Sequence, residues 1–195
     1  MSVAPTRDDS LRQRTLRKVT IRLVPFVMAL YFVNYLDRTN LGIAKTDLSA
    51  DLQLTASMFG LASGIFFIGY VLVEVPSNLA LERFGARRWL ARIAVSWGIV
   101  AVAIGFAPNA ATLLALRFLL GVAEAGLFPG VIFYLSRWFP AEYRVRIVAM
   151  FMMASPVAAA LGTPLAAWLI QSGDGVFGLA GWRFMMITVG LPAII

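Results

Sequence analysis

Cysteine and histidine are both missing from this chain of 195 residues. Without cysteine there is no disulfide and no thiolate nucleophile. Without histidine there is no imidazole for acid–base work, and the usual zinc and haem ligand sets cannot assemble. No resident metal or other cofactor is expected. Charge is scarce too, at 14% of residues, where a soluble domain carries about a quarter. The net charge of +7 would suggest nucleic acid in a soluble protein. Here its distribution along the chain decides its meaning.

What the chain has in quantity is apolar side chains, 60% of the total. They fall into runs over 23–44, 58–81, 89–106, 111–133 and 147–170, and a further run from 184 to the last residue. Crossing about 30 Å of hydrocarbon takes about 20 helical residues at 1.5 Å each, so the expectation is six transmembrane helices with helix 6 cut short. A secretory signal does not explain the first run, because about twenty mostly polar residues precede it and further apolar runs follow it. The connections carry turn chemistry: two Asp over 46–55, Gly85, Pro108 with Asn109, Pro140, and a Gly-rich stretch over 172–181.

Lysine and arginine assign the sides. Six precede the first run (Arg7, Arg12, Arg14, Arg17, Lys18, Arg22), four surround the second connection (Arg83, Arg87, Arg88, Arg92) and three the fourth (Arg137, Arg144, Arg146). The other connections hold Lys45 and Arg183. By the positive-inside rule the N-terminus is cytoplasmic, and nucleic acid drops out as a partner in favour of the lipid bilayer. The organisation expected is a basic cytoplasmic tail over 1–18, either solvated or lying as a helix on the headgroups, and a transmembrane domain over 19–195. Trp89, Trp138, Trp168 and Trp182 stand near run ends, as an aromatic belt requires.

Charges inside the apolar runs carry the functional signal, since an ionised side chain in hydrocarbon persists only with partners or water. The first run holds Asn34, Tyr35, Asp37 and Arg38, and the fourth holds Arg117 and Glu124. Neighbours on a helix point about 100° apart, so Asp37 and Arg38 must look to different partners. Arg117 and Glu124 lie two turns apart on one stripe, with the small Gly121 between them to admit a neighbouring helix. Pairing of Asp37 with Arg117, or of Arg38 with Glu124, is the geometric expectation. Such a cluster either clamps the bundle or moves protons, because burial and a neighbouring arginine push a carboxyl group in opposite directions. In the second run Tyr70 and Glu74 share a face, and Tyr70 offers a pocket hydroxyl. In the cytoplasmic loop Glu82, Arg83, Gly85 and Arg87 suggest a tight turn with a charge network.

Together these segments resemble the N-terminal half of a major facilitator superfamily transporter. The loop around Glu82, Arg83, Gly85 and Arg87 is similar to the superfamily's GxLaDRxGrr pattern, with Asn78 in place of its first Gly, and Arg117 with Gly121 matches its helix 4 pattern. NYLDRTNLGIA, GYVLVEVPSNLALERFGARRWL, RFLLGVAEAGLFPG and GWRFMMITVGLPAI resemble the anion:cation symporter branch, which includes phthalate, tartrate, hexuronate and galactonate permeases. Val189 departs from it, standing where many members have Glu. The resemblance implies an all-α six-helix bundle of inverted three-helix repeats, in the cell inner membrane. It implies that Asp37 and Glu124 carry protons, that Arg38 meets a substrate carboxylate with Tyr35, Tyr70 and Asn34 nearby, and that Arg117 holds a carboxylate partner. It places Glu82, Arg83, Gly85 and Arg87 in the conformational loop.

The function expected is proton-coupled symport of a small organic carboxylate, with sodium open as the other coupling ion. A C-terminal six-helix half is expected as the missing partner. The alternative is a non-transporting, half-length membrane interaction or receptor protein. No enzyme is expected, because no metal cluster, nucleophile motif or nucleotide loop accompanies the acids.

Overall fold

The computed structural model describes residues 7–194, with side chains from residue 13 onward. The Arg7 and Arg12 side chains and residues 1–6 of the expected tail therefore lie outside the described residues. Among those described there are nine α-helices. They are α1 Arg7–Ile43, α2 Lys45–Asp51, α3 Ala56–Phe84, α4 Ala86–Ile104, α5 Ala110–Glu124, α6 Leu127–Trp138, α7 Ala141–Met152, α8 Ala154–Gly173 and α9 Gly181–Gly190. A 3-10 turn, Leu191–Ala193, follows α9.

Four stretches are long and apolar enough to cross a membrane: Gln13–Ile43, Ala56–Phe84, Ala110–Trp138 and Ala141–Gly173. Six were expected. The 19 residues of α4 open with Arg87, Arg88 and Arg92, which dilute its apolar content, and α9 has ten residues before Pro192 tightens the backbone. The 37 residues of α1 make it about 55 Å long. It outreaches a hydrocarbon layer of about 30 Å, and residues 7–18 of the basic stretch are part of this helix. At the other ends, Thr55 Oγ1 accepts the Met58 N–H (3.3 Å) to start α3, and Asn109 Oδ1 accepts the Thr112 N–H (2.9 Å) to start α5. These caps satisfy amides that the first helical turn leaves free.

Two expected spans are divided. The fourth breaks between α5 and α6 at Gly126, whose φ of 87° and ψ of 0° are left-handed and suit glycine. The fifth breaks at Met153, just before Pro156. A proline removes a backbone donor and crowds the carbonyl four residues back, which here is that of Met152. Ser155 Oγ donates to that carbonyl at 3.0 Å.

Packing sets α3 against α5 and α1 against α8, with α4 and α9 crossing between them. Small residues make the close approaches. A β-carbon on Gly121 would run into the Phe66 carbonyl of α3, and one on Gly162 into Leu36 of α1. Gly98 of α4 and Gly105 at its C-cap, two turns apart, face α9 at Gly190 and Arg183. Trp97, Trp182, Phe66 and Phe151 are fully buried in this core. The rings of Tyr31, Phe128 and Phe151 meet at 4.8 to 5.8 Å and tie α1 to α6 and α7.

Candidate functional site

The charged residues expected to find each other do converge, where α1, α3, α4 and α5 meet. Asn34, Asp37, Arg117 and Glu124 are all buried, and Glu124 is fully closed off. Arg38 Nε donates to Glu124 Oε2 at 2.9 Å, while 26% of the Arg38 side chain remains exposed. Its guanidinium carbon lies 4.9 Å from the Tyr70 ring centre and 5.4 Å from that of Phe66. Tyr35 is half-buried on the same helix.

The other expected pair does not form. Among the described residues no ion pair joins Asp37 to Arg117. Asp37 Oδ2 instead accepts the Trp97 indole N–H of α4 at 3.1 Å. Arg117 Nε donates to the Ala62 carbonyl at 3.2 Å, and its guanidinium stands 4.9 Å from the centre of the Phe66 ring. One Phe66 ring thus meets two guanidinium groups, a cation–π arrangement that strengthens away from water. Helical phase gave the direction of each side chain on its own helix. It did not give the rotation of one helix against another.

Sequence reasoning missed Trp97 and Phe66. Trp97 had a legible signal: it stands mid-span, far from any aromatic belt, and a buried indole N–H seeks an acceptor.

Glu124 is the last residue of α5, where the helix dipole disfavours negative charge. A carboxylate there needs a cation, and Arg38 supplies it. The break that follows is clasped from α3: Ser77 Oγ donates to the Ala125 carbonyl at 2.6 Å and accepts the Trp89 indole N–H at 3.0 Å. Trp89 therefore has a specific bond beyond any belt. So does the fully buried Trp182, whose indole N–H reaches Asp51 Oδ2 at 3.0 Å.

The loop residues Glu82, Arg83, Gly85 and Arg87 are exposed at the junction of α3 and α4, with Gly85 at φ 87° and ψ 135°. The tight turn is present. The charge network is not, since among the described residues Glu82 makes no ion pair. A cavity of about 470 Å³ lies between α1 and α4, beside Pro192 and Ile194. Its walls are apolar, and Arg87 is its single charged lining residue. It is separate from the Arg38–Glu124 pair.

Residues 27–195 match the family model of the Major Facilitator Superfamily. The chain belongs to the Major Facilitator Superfamily. A protein of Agrobacterium vitis named "Putative tartrate transporter" is 50% identical over 188 residues, covering 96% of this chain and 43% of its own length. A Pseudomonas putida protein named "Putative metabolite transport protein NicT" is 43% identical over 178 residues, covering 91% of this chain and 41% of its own length. The fold is that of a bacterial homolog to the human lysosomal transporter Spinster, crystallised in an inward-facing and occupied conformation. Its TM-score is 0.81 at 21% identity, over 88% of this chain and 41% of that one. This superfamily chain spans less than half the length of the curated relatives it matches, and their names are those of transporters, not enzymes.

Proposed function

We propose that the chain forms the N-terminal half of a proton-coupled symporter that carries a small organic anion across the inner membrane, with its N-terminus in the cytoplasm. The observation that supports this most directly is the position of Arg38. Its side chain is partly exposed, yet its Nε is held by a fully buried carboxylate. An arriving substrate carboxylate and Glu124 compete for one guanidinium, whose planar fork suits a carboxylate bidentately. A proton on Glu124 frees Arg38 for the substrate, and loss of the proton reclaims it. Binding of the anion is thereby tied to uptake of a proton. Asp37 is assigned a second proton, Arg117 the balancing charge beside the two acids, and Tyr35 and Tyr70 the walls of the anion site. The exposed Glu82, Arg83, Gly85 and Arg87 are assigned to the hinge between α3 and α4.

Six crossings and an inverted repeat are part of the proposal. The packing supports them: exchanging α1 with α5, α3 with α8 and α4 with α9 maps the α3–α5 contact onto α8–α1, α4–α5 onto α9–α1, and α3–α4 onto α8–α9, all of which exist. The contact of α4 with α9 maps onto itself. Two such halves place a site at the midplane between them. The exposed apolar face of α3, with Phe67, Val71, Leu72 and Val75, is assigned to lipid or to the second half.

The test uses the intact protein in sodium-free proteoliposomes with an imposed pH gradient, and tartrate as the first probe among organic acids because of the relative's name. Accumulation driven by the gradient is expected. Arg38→Ala should abolish binding, and Glu124→Gln should keep exchange but lose driven accumulation. Uptake indifferent to the pH gradient, or driven uptake surviving in Glu124→Gln, would overturn the assignment.

A further inference from the structure

We propose that Asn34 is a positioning residue that registers the proton on Glu124 by turning its carboxamide. The proposal rests on the reading of Glu124 as a proton carrier. Asn34 is 0% exposed, and neither its Oδ1 nor its Nδ2 has a hydrogen-bond partner. Glu124 Oε1 is likewise buried and unpartnered, and the Glu124 carboxyl lies beside the Asn34 side chain. Buried polar groups are seldom left unpaired, because each then bears its desolvation without return. Two unpaired groups in contact point to one interaction made in either of two senses.

A carboxamide is suited to this, with a donor on one side and an acceptor on the other. Ionised, Glu124 Oε1 accepts from Nδ2–H of Asn34. Protonated, the same oxygen carries an O–H that donates to Oδ1. A half-turn about the last torsion of Asn34 exchanges the two, and that torsion is broad and roughly two-fold. The only bond made or broken is the O–H on Oε1, with the proton taken from water and returned to it.

Of the charged and titratable groups around Glu124, Arg38 of α1 engages Oε2, Arg117 on the same helix as Glu124 bonds to the Ala62 carbonyl, and Tyr70 of α3 lies under Arg38. Asp37 accepts from Trp97 and also faces the Glu124 carboxyl; a second acid there can only share the proton, whereas the neutral Asn34 can both donate and accept. Full burial also sets Asn34 apart from the partly exposed Arg38, so its service is to the acid and not to the anion.

The test is infrared difference spectroscopy of the intact protein in lipid across a pH titration, with Glu124→Gln to identify the Glu124 carboxyl band. In Asn34→Leu that band should move to higher frequency, the mark of a carboxyl that has lost its partner. Gradient-driven uptake should fall about tenfold, as expected when a charged group loses one hydrogen bond, while exchange persists. Asn34→Ser, which can both donate and accept, should restore the band position and the driven uptake, and it guards against misfolding of the Leu variant. A Glu124 band indifferent to Asn34→Leu overturns the role of Asn34 and leaves the proton on Glu124 standing. Absence of any titrating Glu124 band in the unaltered protein overturns both.

Discussion

Replacing Gly126 by alanine tests whether the break in the fourth span is held by its neighbours or is merely tolerated by glycine. Gly126 has φ 87° and ψ 0°, and Gly175 has φ 79° and ψ −10°. Both are left-handed, a conformation that costs an L-residue about 1–2 kcal/mol. Their surroundings differ. A β-carbon on Gly175 meets nothing within 4 Å, whereas one on Gly126 would stand 2.6 Å from Ser77 Oγ and 2.9 Å from Ser77 Cβ. The serine must move, and it is the group that holds the Ala125 carbonyl and the Trp89 indole. Each buried polar group left unpaired costs about 1–3 kcal/mol.

Gly175→Ala should therefore cost about 1–2 kcal/mol, and Gly126→Ala about 3–8 kcal/mol once both Ser77 bonds are included. The assay is equilibrium unfolding of the intact protein in mixed micelles, with Ser77→Ala as the third variant. In Ser77→Ala/Gly126→Ala the obstructing oxygen is already gone, so the double variant should cost clearly less than the sum of the singles. Equal losses at Gly126 and Gly175, or simple additivity with Ser77→Ala, would refute the clasp.

Trp97→Phe keeps an aromatic ring but removes the N–H that meets Asp37 Oδ2, and the smaller ring leaves part of a fully buried site unfilled. A hydrogen bond to a charged group contributes about 1.5–3 kcal/mol, and a loss of at least that size is expected by the same unfolding assay; no change would show that Asp37 is held by something else. At the far end of α4, Asp51→Asn should cost under about 1 kcal/mol and matter less as salt rises, because its pair with Arg183 is partly exposed. Arg183→Ala should cost more than Asp51→Asn, since it also strips donors from the Gly105 and Ala107 carbonyls at 3.1 and 2.8 Å. The reverse order would show that the ion pair outweighs the carbonyl contacts.

Those long-range bonds also mark where sequence reasoning stopped. Apolar length located the spans, because a helix in lipid must be apolar over a known distance. Helical phase separated Asp37 from Arg38, and the smallness of Gly121 foretold a close crossing, both being properties of a single helix. The partner at that crossing, the Phe66 backbone, was not legible. Nor were Trp97 for Asp37, 60 residues away, or Trp182 for Asp51, 131 residues away. Charge sign had suggested Arg117 for Asp37, but sign carries no information on how α1 and α5 are rotated about their axes.

The break after Glu124 was hidden for a related reason. Gly126 lies in an unbroken apolar run that hydropathy reads as one helix, and what stabilises the interruption is a hydroxyl on α3. Backbone irregularity is tolerated at membrane depth only where neighbouring groups satisfy the freed carbonyl. An irregular backbone beside a buried acid is thus a property of two helices jointly: Ser77 permits the break, and the break ends α5 at Glu124. The same hydroxyl links Trp89 of α4 to that point, so α3, α4 and α5 share one bonded chain next to the carboxylate that Arg38 neutralises. Any movement of α4 against α3 that stretches the Trp89–Ser77 bond therefore bears on the backbone that carries Glu124.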